Sequence, residues 1–325
     1  MTKEREKQLN QLIRDNKFQL KVYQELPLEE TYYLYQQALK LQEDETDEQE
    51  KKKSETKAEL FYSLTIEKVK GLESFFILFF APTNMPYVVC DEETFDDEVL
   101  LYTTEEKMKK ASAKYQEAGV KLRAMQVKKE QYLGFFSNMF AFGANALLVN
   151  SDDEHIILMI DKICRKPDPS EIKNRAALVS NPELQLTTMY FMQEMHKPAD
   201  SRDQEKCKEL QEELLVDLLK GTLLMPVFKL DEEQLKLSRE EQDKLRRIPF
   251  LKNKEGDTYL PVFTDIHEFV KYNRENKYDA LILEFGGVMK QLHESLKGIA
   301  VNPFGNNLMI LGDNLRKIMS GKGTK

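Results

Sequence analysis

The chain has 325 residues, 41% of them hydrophobic and 10% aromatic, with 56 acidic against 48 basic side chains and a formal net charge of −8. That length fills two cores of ordinary size more readily than one, and the acidic balance argues against nonspecific attraction to nucleic acid or an anionic lipid surface, so neither is expected as a partner. The longest apolar run, Phe75 to Pro82, falls far short of the roughly 20 residues a spanning helix needs, so membrane insertion is not expected either.

Along the first forty residues, Leu9, Leu12 and Ile13, then Tyr32, Tyr33, Leu34, Ala38, Leu39 and Leu41, recur at spacings of three and four, which predicts two helices divided at Pro27. Glu43 to Lys57 is a dense charge run with no residue to anchor a core before Ala58, and reads as a solvated charged loop or a frayed helix. Leu60, Phe61, Leu64, Ile66 and Val69 then form a weak helical stripe that stops at Gly71. Aromatic and β-branched segments follow, Phe75 to Phe80, Tyr87 to Cys90 and Val99 to Thr103, broken by prolines and an acidic turn, and they predict a short meander. Thr103 is placed as the cap of the next helix because Glu106 stands three residues on, in capping-box spacing. That helix ends at Ala118-Gly119, and a strand Leu122 to Val127, a second helix and a strand Ala146 to Asn150 come next. Cys164 to Pro182, with Pro167, Asp168, Pro169 and Asn181-Pro182, reads as a linker holding one short helix over 172–178.

The second half repeats this order. Helices over Leu184 to Met195 and Glu205 to Leu219 open it, and a strand at Leu223 to Phe228 and another at Tyr259 to Thr264 follow. Asp265 caps a helix with Glu268 three residues on; then come a strand Ala280 to Phe285, a helix from Val288, and a closing hairpin of Ile299–Asn302 with Leu308–Leu311. The two copies lie about a domain length apart. The expectation is an α+β protein of two related domains, 1–163 and 183–325, joined by a linker at 164–182. Each has N-terminal helices, then a mixed sheet with packed helices and a closing hairpin. No dinucleotide site follows from that order.

Pro261-Val262-Phe263-Thr264-Asp265 with Gly298-Ile299-Ala300-Val301-Asn302-Pro303-Phe304-Gly305, together with the proline-bearing strand Leu223 to Phe228, resembles the N-terminal domain family of SseB, over about residues 183–312. The earlier copy keeps Tyr102-Thr103 and Val149-Asn150 but has no proline at 100–101, and it replaces the Asn-Pro turn by Asn150-Ser151-Asp152-Asp153. The resemblance implies a cytoplasmic mixed α/β domain of bacterial type that works as an interaction module, and it carries over no catalytic residues.

Asn302, Pro303, Phe304 and Gly305 form the most singular loop, and local geometry alone accounts for it as a hairpin turn, since proline, glycine and asparagine each suit tight backbone. As a surface, it offers Phe304 as an exposed aromatic and Asn302 as an amide for a peptide backbone, with Phe263, Thr264 and Asp265 at the end of another predicted strand whose position relative to the loop the sequence does not fix. These seven residues are the candidate binding site. His155, His196, His267 and His293 have no ligand spacing, Asp152-Asp153-Glu154-His155 lacks the calcium-loop pattern, and Gly286-Gly287 is followed by no phosphate-binding signature, so no metal or cofactor is expected. Cys90 lies in a strand, Cys164 at a strand end and Cys207 on a polar part of a helix, with no CxxC spacing, as in reduced thiols of the cytoplasm. The expected function is a non-catalytic module that binds another protein, with homo-oligomerisation left open. The alternative is an enzyme or small-molecule sensor whose site is assembled from Asp265, His267, His293 and Asn302.

Overall fold

The structure is a computed structural model that describes residues 1–15, 18–151 and 155–319. Four helices form its N-terminal layer: α1 Lys3–Arg14, α2 Leu20–Glu25, α3 Leu28–Asp44 and α4 Glu48–Gly71. They close on a small core of Leu9, Ile13, Tyr23, Leu34, Ala38 and Phe61. Pro27 caps α3, so three helices precede the charge run where two were expected. The charge run itself is helical rather than a loop, with only residues 45–47 between α3 and α4. Asp47 starts α4 by accepting the amides of Gln49 at 2.9 Å and Glu50 at 3.1 Å. Ala58 and Phe61 then anchor it against α3, while Lys57 donates back to the Ile13 and Asp15 carbonyls. The first turns of α4 face water on every side, which erases the apolar period that sequence reading depends on.

The first sheet is built from β1 Ser74–Phe80, β2 Met85–Pro86, β3 Val88–Cys90, β4 Asp97–Tyr102, β5 Leu122–Lys128, β6 Ala146–Val149 and β7 Ile156–Met159, with α5 Glu105–Glu117, α6 Tyr132–Phe142 and α7 Ile160–Ile163 among them. β5 pairs antiparallel along all of β1, β1 meets β4, β4 runs parallel to β6, and β6 turns antiparallel into β7. β2 pairs β1 and β3 pairs β4. One face carries Leu78, Leu100 and Tyr102 under Met108 and Ala111 of α5. The opposite face buries Phe75, Ile77, Val99, Leu101 and Leu147 against Phe136, Met139 and Phe142 of α6.

The second half comprises α8 Pro182–Met195, α9 Gln204–Lys220, β8 Thr222–Phe228, α10 Arg239–Leu245, β9 Leu251–Lys252, β10 Thr258–Val262, α11 Ile266–Tyr272, β11 Tyr278–Glu284, α12 Phe285–Gln291, β12 Gly298–Val301, β13 Leu308–Leu311 and α13 Gly312–Met319. Its pairing order matches that of the first sheet. β11 pairs antiparallel along all of β8, β10 runs parallel to β12, and β12 turns antiparallel into β13. A single bridge, Leu224 to Phe263, stands where β1 meets β4. α12 begins at Phe285, so Gly286 and Gly287 lie inside its first turn and not in a loop ahead of it.

α8 serves both cores. Leu184 packs into the second, with Leu218, Leu260 and Ile299, and Met189 into the first. Polar contacts reinforce the seam: the Gln193 side chain pairs with both backbone groups of Val88, at 3.0 and 2.9 Å, and the Tyr190 hydroxyl donates to Asp97 at 2.6 Å. The segment before α8 contains two single-turn 3₁₀ helices, Pro169–Glu171 and Arg175–Leu178. Ala176 and Val179 dock it against Phe263 and Phe269.

Candidate functional site

Because β10 and β12 are parallel, the residues that leave their C-terminal ends emerge side by side, and Phe263-Thr264-Asp265 meets Asn302. The Asn302 amide continues the ladder onto the Val262 carbonyl at 3.0 Å. There the backbone turns over with φ of 48°, a left-handed conformation that asparagine tolerates better than other non-glycine residues. Its side chain accepts the Thr264 amide at 3.0 Å and donates to the Thr264 hydroxyl at 2.8 Å. That hydroxyl donates in turn to Asp265 Oδ2 at 2.7 Å, which also accepts Gln185 Nε2 at 2.6 Å. Asp265 Oδ1 caps α11 by accepting the amides of His267 at 2.8 Å and Glu268 at 3.1 Å. The predicted cap is therefore real.

Asn302 is 1% exposed and both ends of its amide are spent on Thr264, so it does not present that amide to a partner. Phe263, Thr264, Asp265 and Gly305 are likewise buried, and Pro303 is half-buried. These residues form an internal latch that locks two strand ends to α8. Such buried polar groups hold their place because leaving any one unpaired costs about 1–3 kcal/mol. Gly305 fits because an added Cβ would collide with the Glu268 carboxylate. Burial pushes the Glu268 carboxyl upward, and the Lys271 ammonium opposes that shift.

Phe304 is the exception. It is 53% exposed, and its ring lies 6.0 Å from Tyr272, which stacks on Tyr278 at 5.2 Å, which meets Phe228 edge-on at 5.0 Å. Four aromatic rings from the 302–307 loop, α11, β11 and β8 thus form a surface ladder. Phe304, Tyr272 and Tyr278 line a cleft of about 430 Å³ together with Lys271, Arg274 and Lys277. Among the described strands β11 pairs with β8 alone, and where it borders the cleft its outer edge is closed by Asn273, whose side chain accepts the Tyr278 amide at 3.0 Å and donates to the Tyr278 carbonyl at 2.8 Å. Sequence reading found Phe304 and missed the other three rings, which come from separate segments. The aromatic clustering around residue 272 and the strand-end Phe228 were the only signals available.

The groups of the catalytic alternative divide by exposure. His267 and His293 face solvent, while Asp265 and Asn302 are buried with their bonding capacity spent in the latch. Among the described residues no group of three His, Cys, Asp or Glu side chains is arranged to hold a metal ion. Cys90 is exposed, Cys164 half-buried, and Cys207 is buried rather than on a polar face. The acidic turn at Asp152, Asp153 and Glu154 lies outside the described residues.

The first half holds a counterpart of the latch. Asn150 has φ of 53°, its amide bonds the Leu101 carbonyl at 2.8 Å, and its Oδ1 accepts the Thr103 amide at 3.1 Å and hydroxyl at 3.2 Å. Thr103 is consequently not the cap of α5. Asn150 claims its amide and hydroxyl, and Thr104 caps instead, accepting the Lys107 amide at 3.3 Å.

An Asn-Pro turn locked to the Thr-Asp end of a parallel neighbour strand is the geometry behind the two motifs read from the sequence. Residues 200–317 match the SseB protein N-terminal domain. The matched SseB region begins just ahead of α9 and ends in α13, so it contains the latch and the aromatic ladder and leaves out α8 and the first half. No curated protein matches the chain. A solved structure that aligns with it is Anabaena Tic22, titled as protein transport. It is 10% identical and covers 80% of this chain and 98% of its own, with a TM-score of 0.18, at which the two backbones do not superpose and nothing is carried across.

Proposed function

We propose that the chain is a non-catalytic module that binds another protein through the aromatic cleft of its SseB region. The occupant is an extended segment that places an apolar side chain on the ladder and acidic side chains near Arg274 and Lys277. The observation that carries this reading is the ladder of Phe304, Tyr272, Tyr278 and Phe228, exposed at the two phenylalanines and half-buried at the two tyrosines, beside basic side chains. Aromatic anchors of this kind are enriched in binding hot spots. Arg274 is exposed with no carboxylate partner among the described residues, and Lys277 is exposed beside Glu275, so basic groups rim an apolar floor. The latch beneath serves as the rigid support that fixes the loop in place. No helix among the described residues is long and apolar enough to cross a membrane. The cytoplasm is the compartment this reading assumes. The matching pairing order of the two sheets supports a duplication, in which the first half has kept the scaffold and lost the Asn-Pro turn.

The test uses the full chain and a panel of fluorescent ten-residue peptides, each with a leucine or phenylalanine flanked by glutamates, read by anisotropy. Binding is expected to fall about tenfold or more on Phe304→Ala and again on Arg274→Glu, with unchanged thermal unfolding. Peptides that bind equally to wild type and to both variants, or that bind no better than their lysine-flanked counterparts, would sink the proposal. Concentration-dependent mass in ultracentrifugation that Phe304→Ala abolishes would reassign the cleft to a second copy of the chain.

A further inference from the structure

A second cavity, of about 260 Å³, opens in the first half of the chain, between α5 and the ends of β4 and β6. Its wall on α5 follows helical spacing: Lys107, Lys110, Ala111, Lys114, Tyr115 and Ala118 share one face. Tyr102, Asn150 and Ser151 close the far side, with the Tyr102 and Ser151 hydroxyls 2.6 Å apart. Two features set this cavity apart from an ordinary surface dent. Asn150 is 1% exposed and its Nδ2 has no protein partner, so a buried N–H₂ group stands unanswered in the cavity wall. Lys110 and Lys114 have no carboxylate partner among the described residues either; only Lys107 is paired, with Glu29 at 2.8 Å. With Asn150 Oδ1 committed to Thr103, the uncommitted polar side-chain groups beyond the hydroxyl pair are donors, and they ring a floor of alanine and tyrosine side chains.

We propose that this cavity is a binding site for a small organic carboxylate carrying a compact apolar group, a site separate from the peptide cleft. The carboxylate meets the ammonium groups of Lys110 and Lys114 and takes up the spare Asn150 N–H, and the apolar group lies on Ala111 and Tyr115. A carboxylate with an apolar body fits better than a bare inorganic anion because the floor would stay idle under the latter. In the second latch the equivalent amide, Asn302 Nδ2, is already answered by Thr264.

Phenylacetate is the probe, with phenylacetamide as the neutral control and inorganic phosphate as the compact anion, on full chain labelled at alanine methyls. Saturable shifts are expected at Ala111 and Ala118 with phenylacetate. Affinity should fall about tenfold or more for phenylacetamide and for the double variant Lys110→Gln, Lys114→Gln. The double variant changes two exposed residues, and unmoved methyls elsewhere report its fold. Ala118→Leu, at the exposed mouth, is expected to block the shifts as well. No shift with phenylacetate, equal shifts with phenylacetamide, competition by phosphate at equal concentration, or an unaffected double variant would each overturn the proposal.

Discussion

The two latches share a backbone and differ in where the threonine hydroxyl sends its proton, and that difference traces to a single residue. In both halves an asparagine in the left-handed conformation follows the parallel strand and accepts the amide of a threonine on its neighbour. After Thr264 comes Asp265, whose carboxylate takes the threonine hydroxyl proton, so the hydroxyl oxygen is free to accept Asn302 Nδ2. After Thr103 comes Thr104, which offers no carboxylate, so the Thr103 hydroxyl donates to Asn150 Oδ1 instead and Asn150 Nδ2 is left over. In one latch the asparagine amide is answered at both ends; in the other it retains a donor. A scaffold can thus keep its geometry while one neighbour decides whether a buried amide is locked in or available.

The largest effect that would break this contrast is the cost of removing each amide. Asn302→Ala leaves the buried Thr264 amide without its acceptor and strips the hydroxyl of a donor while it keeps Asp265, and should destabilise the protein by about 2–4 kcal/mol in chemical denaturation. Asn150→Ala takes the shared acceptor from the Thr103 amide and hydroxyl, but Thr103 is only half-buried and the Asn150 Nδ2 removed with it was unsatisfied, so the change should cost about 1–2 kcal/mol. Equal costs would mean the two latches are energetically the same and the missing bond has no weight.

Buried carboxylates extend the comparison. In the second half burial raises Glu268 and leaves its Oε2 unpartnered, but the Lys271 ammonium lies against its Oε1 and opposes the shift. In the first, Glu98 is buried with Oε1 unpartnered, and burial, with Asp91 and Asp96 nearby, pushes it from an ordinary 4.5 up to about 7. The native state therefore binds the Glu98 proton more tightly than the unfolded chain does. Stability falls as pH rises from about 4.5 through about 7 and levels off above. That loss amounts to at most about 3 kcal/mol. Glu98→Gln should remove this contribution, leaving the variant more stable than wild type at pH 8 and close to it at pH 4.5, as read from denaturation midpoints across that range. A variant that is no more stable at pH 8 would show that Glu98 is compensated in solution.

Much of this was legible beforehand where a local rule acts alone. The parallel and antiparallel strands are apolar runs bounded by turn residues, and the Asp265 cap follows from a carboxylate set ahead of an amphipathic stretch. Thr103 obeyed the same local rule, but a long-range competitor, Asn150, took the hydroxyl and moved the cap to Thr104. The first turns of α4 eluded the reading because no apolar face marks them, and Asn302 was placed at the surface because its partners lie 38 residues away and its burial has no sequence signature. The aromatic ladder escaped for a related reason: its rings come from four elements, and only pairing of β8 with β11 brings Phe228 to Tyr278.

The smallest effect is also the sharpest test of the one-residue account. Thr104→Asp would place a carboxylate after Thr103 as Asp265 stands after Thr264, and aspartate caps a helix at least as well as threonine, so the start of α5 is preserved. The Thr103 hydroxyl can then give its proton to the new carboxylate and turn a lone pair toward Asn150 Nδ2, completing the bond that the second half already has. A gain of about 0.5–1.5 kcal/mol is expected from one added buried hydrogen bond, together with slowed exchange of the Asn150 side-chain amide protons in NMR. The same change withdraws the donor from the basic cavity and should weaken phenylacetate binding there. Stabilisation without amide protection would credit the cap alone, and the asymmetry between the halves would then need a cause other than the residue that follows the threonine.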